Sequence, residues 1–137
     1  MYDVVALGEL LIDFTTQSTD ADGYPTMAAH PGGAPANFLA AIAKFGGKAA
    51  LLGKVGTDTF GKLLTDTLRK AGIETKGIVA SDDVFTTLAF VTLDENGDRE
   101  FAFARKPGAD TQLRFDELDL SIIDEARVFH FHLLNGR

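Results

Sequence analysis

The sequence predicts an α/β fold: a parallel sheet covered by helices, with a small antiparallel β lid or ribbon beside it. Two observations carry this. From Val4 to Gly72 the chain repeats a short apolar run and then an amphipathic stretch with helical spacing, which is the grammar of βαβ units. From Thr86 to Arg105 it changes to strict two-residue alternation around an Asn-Gly pair, the signature of a hairpin.

Val4-Val5-Ala6-Leu7, ended by Gly8, reads as a buried strand. Glu9 to Phe14 continues it, with Asp13 a lone acid between Ile12 and Phe14 at the end of a core strand. Thr15 to Ala29 is polar and carries an Asp22-Gly23 turn signal, with a short strand over Tyr24 to Met27. Pro31-Gly32-Gly33-Ala34-Pro35-Ala36-Asn37 then leads into a helix. Pro35 suits its first turn, where a missing N–H is no loss. A glycine pair, a helix start and a side-chain amide within six residues fit a small-molecule site, or simply a tight turn into a core helix. On these residues alone both readings stand. The helix places Phe38, Ile42 and Phe45 on one face, with Ala36, Ala40 and Ala43 allowing close packing, and stops at Gly46-Gly47.

Ala49 to Gly53 is the next buried strand, and Lys54 to Gly61 a loop in which Thr57 or Asp58 caps a second helix. That helix carries Phe60, Leu64 and Leu68 and closes at Ala71-Gly72. In the ribbon, Leu88 and Phe90 share one face, and Ala89, Val91 and Leu93 the other. Phe101, Phe103 and Arg105 share a face of the returning strand. Phe115 to Arg127 reads as a turn and a helix, and Val128 to Leu133 as a last strand. His130 and His132 lie two apart there. No third ligand stands near them in sequence, so a strand face is the simpler reading than a metal site. Asp82-Asp83 and Asp116-Glu117 read as solvated loop charges.

Composition narrows the function. A net charge of −7 argues against nucleic acid as a partner, although a helix terminus can still bind a phosphate locally. No apolar run is long enough to span a membrane, and no secretory signal opens the chain. The absence of cysteine rules out disulfides and thiolate metal sites, and suits a cytoplasmic location.

Taken together, Gly8-Glu9 with Asp13, the block Gly32-Gly33-Ala34-Pro35-Ala36-Asn37, Gly46, and Gly53-x-Val55-Gly56-x-Asp58-x-Phe60-Gly61 resemble the PfkB (ribokinase-like) carbohydrate kinases. Arg105-Lys106-Pro107-Gly108-Ala109-Asp110 is similar to a fructokinase segment. The resemblance extends to about Phe131 and departs at Leu39, where the family prefers a small residue. It implies a ribokinase-like α/β domain over residues 1–137, with lid segments at about 12–29 and 75–105. It also implies roles for individual residues. Asp13 accepts hydrogen bonds from sugar hydroxyls, Gly32 and Gly33 bring backbone against the sugar, and Gly33 acts as a hinge. Asn37 offers a donor and an acceptor, Phe101 or Phe103 faces the sugar, and Arg105 reaches its polar edge.

In the complete enzyme the resemblance implies transfer of a phosphoryl group from ATP, with Mg²⁺, to a sugar, fructose first. A 2-keto-3-deoxygluconate kinase is the alternative substrate reading. A non-catalytic sugar-binding fragment, or one dimerising through the lid, is the alternative from another class. The family's catalytic aspartate lies in a Gly-Ala-Gly-Asp motif, expected beyond Arg137. Pro107-Gly108-Ala109-Asp110 lacks the second glycine, and His132 to Arg137 departs from the family's Gly-Ser. The resemblance therefore implies a truncated or frame-shifted product that holds neither ATP nor Mg²⁺ tightly and has no catalytic residue of its own.

Overall fold

The structure is a computed structural model and describes residues 1–132. In order it forms β1 (Tyr2–Leu7), β2 (Leu11–Thr19), β3 (Pro25–Gly32), α1 (Ala34–Lys44), β4 (Ala49–Gly56), α2 (Thr59–Lys70), β5 (Ile73–Glu74), β6 (Ile78–Ser81), β7 (Leu88–Leu93), β8 (Arg99–Ala104), α3 (Leu120–Asp124) and β9 (Ala126–Phe131). The end of the predicted last strand, Leu133, and the departure over Leu133 to Arg137 lie outside the described residues.

The apolar runs build a parallel sheet in the order β5-β4-β1-β9, with β6 also pairing β4. Val4 to Leu7 lie opposite Ala49 to Leu52 on one side and, from Val4, opposite Val128 to Phe131 on the other. Because side chains alternate, each strand feeds two cores. Val4, Ala6, Ala49 and Leu51 pack beneath α1 and α2 through Leu39, Leu64 and Leu68. Val5, Ala50 and Leu52 pack on the other face against Ile122 of α3. α2 starts where Asp58 accepts the amides of Phe60 and Gly61, each at 3.0 Å. Burial alone would raise the Asp58 carboxyl, but hydrogen bonds from Thr86, Gly61 and Phe60 outweigh it and hold the group below its usual range.

The second sheet runs β3-β2-β7-β8. Two antiparallel hairpins, β2–β3 and β7–β8, meet through a parallel β2–β7 pair in which Asp13 lies opposite Ala89. The lid is therefore mixed rather than antiparallel. Its first strands, β2 and β7, follow β1 and β6, which both end at the carboxyl edge of the parallel sheet. They leave that sheet in the same direction and pair side by side. Of the expected lid segment 75–105, residues 78–81 instead pair β4.

Four local expectations are corrected. Asp13 does not end the first strand. The chain breaks at Gly8 to Leu10, and β2 is a separate strand that runs on to Thr19 through what reads as loop. β4 continues through Lys54 to Gly56, every residue buried, because Lys54 Nζ is neutralised by both oxygens of Glu117 at 2.7 and 2.8 Å and by the carbonyl of Gln112 at 3.0 Å. Glu117 is thus an ion-pair partner and not a solvated loop charge; the Lys54 ammonium, then the Arg114 amide, hold its carboxyl below the usual range. The core face of α1 is Ala36 and Leu39, flanked by Ala40, Ile42 and Ala43. Phe45 stands 90% exposed past the helix end, and Phe38 covers His130 at 4.9 Å between ring centroids.

Leu39 is fully buried where the family signature prefers a small residue, so α1 is seated on the sheet by its isobutyl group. Leu39→Ala is expected to cost about 2–5 kcal/mol of stability. Phe45→Ala is expected to stay within about 0.5 kcal/mol. Urea denaturation followed by circular dichroism measures both, and equal effects would restore the Phe38–Phe45 face as the buried one.

Candidate functional site

Cross-strand register places the predicted residues before any side-chain contact is considered. Partners on neighbouring strands point to the same side of a sheet. One row therefore runs His30, Asp13, Ala89, Phe103 across β3, β2, β7 and β8, and the next runs Ala28, Thr15, Val91, Phe101. The opposite face carries Phe14 and Phe90, stacked 5.2 Å apart, with Phe14 packed against the core. Asp13 and the two β8 phenylalanines thus share the face turned away from the core. Phe101 and Phe103 lie nearly parallel at 6.3 Å, and the Arg105 guanidinium sits 5.0 Å from the Phe103 centroid. An open cleft of about 320 Å³ is lined by Asp13, Thr15, Val91, Arg99 and Phe101.

The Asp13 carboxylate receives no hydrogen bond from the described residues. Burial pushes its carboxyl up, and the facing His30 pulls it partly back. Gly32, at the end of β3, lies against it: a Cβ there would run into Asp13 Oδ2. Gly33 follows with φ +115°, and a Cβ on it would run into the Glu9 carbonyl. The expected tight turn therefore exists; Gly33 is required by its φ and by the Glu9 backbone, and Gly32 leaves room for the Asp13 carboxylate.

Asn37 is placed differently. It sits exposed in the first turn of α1, its amide donating to the Gly33 carbonyl at 3.0 Å. It lines a separate, largely apolar cleft of about 270 Å³ with Leu10, Gly32, Leu64 and Leu68. Gly32 is the residue common to its surroundings and those of Asp13. Arg105 is also constrained, because its Nη2 donates to Asp110 Oδ2 at 2.8 Å, while its Nε is buried without a partner among the described residues. Asp110 is fully buried, and its other oxygen accepts from Thr87 Oγ1.

Sequence reasoning missed Asp110 and Glu9 as structural anchors. Glu9 is 7% exposed; one carboxylate oxygen accepts the Ala34 amide at 3.1 Å, and the other faces His132 Nδ1 at 3.3 Å. An acid set between Leu7, Gly8 and Leu10 was the available signal, since burying a charge requires a partner. Glu9, Asp110, Thr111 and His132 line a third cleft of about 320 Å³, at the carboxyl ends of β1 and β9. Chain connections reverse direction there, from β4 on one side of β1 to β9 on the other, and open α/β sheets bind ligands at such points.

Residues 1–134 match the pfkB family carbohydrate kinase profile. The chain belongs to this family. It is 47% identical over 130 residues to a protein named probable fructokinase-3 from Arabidopsis thaliana, a match covering 93% of this chain and 38% of that protein. A fructokinase structure from Xylella fastidiosa superposes with a TM-score of 0.89 at 37% identity, covering 96% of this chain and 41% of that one. The same fructokinase with bound ATP gives a TM-score of 0.86 at 36% identity, covering 96% and 39%. The ribokinase-like fold and the kinase family expected from the motif blocks are therefore correct. The chain spans about 40% of the length of these relatives.

Asp13 and His30 provide a direct electrostatic test. Titration of the Asp13 carboxyl by NMR should give a midpoint above that of an ordinary aspartate. His30→Ala should raise it further, because the imidazolium favours the ionised form. A fall on removing His30 would contradict the assigned causes.

Proposed function

We propose that this chain forms the acceptor-binding portion of an ATP-dependent sugar kinase acting on fructose. The observation supporting it is the Asp13 carboxylate: partly desolvated, without a donor among the described residues, set against Gly32 on the face that carries Phe101 and Phe103. An ionised carboxylate only accepts hydrogen bonds, which suits adjacent sugar hydroxyls, and flat aromatic rings offer an apolar wall for a sugar's C–H face. The backbone brought close by Gly32 and Gly33 supplies the floor, and Asn37 acts on it from the neighbouring α1 cleft, through Gly32. Arg105 is held by Asp110, and Arg99 is the cation that lines the cleft, so fructose is preferred to 2-keto-3-deoxygluconate on the likeness to fructokinases and not on charge.

The chain's own residues supply binding rather than activation. Asp110 cannot serve as the base of a Gly-Ala-Gly-Asp motif, because it is fully buried and both oxygens are engaged. Among the described residues, no group of three or more His, Asp or Glu is placed to hold a metal ion. We assign these residues to the sugar. No helix among the described residues is long and apolar enough to cross a membrane. A cytoplasmic setting is part of the same proposal.

Fructose titrations of the 137-residue chain by NMR test the sugar assignment. Asp13→Ala should weaken binding roughly 10- to 100-fold, and Asn37→Ala roughly 3- to 10-fold, the range for losing a charged and a neutral hydrogen bond. Tighter binding of 2-keto-3-deoxygluconate than of fructose would overturn the substrate. Fructose-dependent ADP formation by the pure chain would overturn the division between binding and activation.

A second reading, self-association through the lid, is favoured by β8, which is an edge strand with all six residues exposed, among them Phe101 and Phe103. Light scattering across micromolar concentrations should then report a dimer that Phe101→Glu disrupts; a constant monomeric mass would count against it.

A further inference from the structure

α1 begins without a local cap. Its N-cap residue is Gly33, no acid occupies the first turn, and Pro35 has no amide to offer. Four N–H groups at a helix start need partners from outside the helix, and short polar side chains at the N-cap normally supply one. Here the acceptor comes from 25 residues away: Glu9, in the three-residue gap Gly8–Leu10 between β1 and β2, receives the Ala34 amide. The Glu9 backbone is also the surface against which Gly33 is pressed, at a φ of +115° that only glycine takes readily. Glu9 therefore meets the Gly33 turn twice, by its carbonyl and by its carboxylate. Its second carboxylate oxygen faces His132, just past β9, so one side chain joins three segments that converge at the carboxyl edge of the sheet.

We infer that Glu9 is the positioning residue of the sugar site. Its carboxylate caps α1 across the sheet edge and holds Gly33 and Asn37 in register with Asp13, although it does not itself touch the sugar. What it must supply is an acceptor at a fixed reach, and negative charge is secondary. Glu9→Gln keeps the acceptor at that reach, Glu9→Asp keeps the charge but draws it back by one methylene, and Glu9→Ala removes both. The inference rests on the fructose-binding reading, and the test separates the two.

Hydrogen exchange at the Ala34 amide and fructose titration are measured on the same 137-residue chain and its variants, at a temperature where circular dichroism shows each folded. Glu9→Ala and Glu9→Asp should speed Ala34 exchange and raise the fructose Kd about tenfold, the scale of one lost hydrogen bond to a charged group. Glu9→Gln should stay within about threefold on both. A purely structural role would lower the melting temperature of Glu9→Ala while leaving the Kd of the folded protein unchanged, and that result overturns the inference. So does an intact site in Glu9→Asp with a weakened one in Glu9→Gln, because charge would then be the essential property. If Glu9→Ala does not fold, the Asp and Gln variants decide alone. If the unsubstituted chain shows no response to fructose, the fructose reading fails by itself. Ala34 exchange, with the amide resonances of Gly33 and Asn37, then still decides whether Glu9 holds the turn.

Discussion

Much of this structure depends on close approaches that only glycine allows. At the carboxyl edge of the parallel sheet, the Gly32–Gly33 turn lies directly on the Asp13 carboxylate and the Glu9 carbonyl; a Cβ at Gly33 would strike the Glu9 backbone, and one at Gly32 would displace the Asp13 carboxylate. That contact sets where α1 begins, and hence which face of it meets the sheet. It also keeps the hairpin β2–β3 against the core while Asp13 faces outward. Gly8 repeats the requirement one step earlier, since a Cβ there would run into the Pro35 ring. The motif Gly-Gly-Ala-Pro-Ala-Asn is in this sense a packing specification before it is a binding site.

The sequence carried the order of elements well and their partners poorly, for a physical reason. Strand–helix rhythm, the Asp58 cap, and the alternation of Phe101, Phe103 and Arg105 are local properties, and each appears in the structure as the residues predict. Register between distant segments is not local. Nothing in residues 11–19 or 88–93 taken alone says that they pair, still less that they pair in parallel, and the mixed sheet follows from where β1 and β6 end. Lys54 shows the same limit. A lysine inside an apolar run reads as the end of a strand, and only Glu117, 63 residues later, makes its burial tolerable. The face of α1 was misread because Phe38 and Phe45 outweigh Ala36 and Leu39 in any hydrophobic count, whereas close approach to a sheet selects the smaller side chains.

The site was legible in part. Asp13 and the β8 aromatics were assignable because alternation fixes which side chains share a face, and the register then brings them into adjacent rows. Asn37 was assignable to a helix start but not to a neighbour, and it comes to Gly32 from the α1–α2 side rather than joining the Asp13 cleft. Arg105 was assignable to the correct face but not to its partner. Asp110, five residues on, lies past the Lys106–Pro107 bend, a turn that no alternation rule reaches.

The buried acids bear on the proposed division between binding and activation. A carboxylate can act as a base only if it has a free lone pair facing the proton it is to take. Asp110 has spent both oxygens, on Arg105 and Thr87, and Glu9 has spent one on Ala34 and turned the other to His132. Each is thereby fixed as an anchor for a segment of backbone. Asp13 is the contrasting case: it is partly desolvated, its pKa is pushed up, and it has no protein donor among the described residues. Leaving such a group without a donor is costly unless a ligand supplies one, and under the proposed function sugar hydroxyls would do so. The same desolvation strengthens the hydrogen bonds those hydroxyls make. The three carboxylates differ in chemistry only through their neighbours: two hold the backbone in place, and the third is the one the proposed function leaves for a polyol.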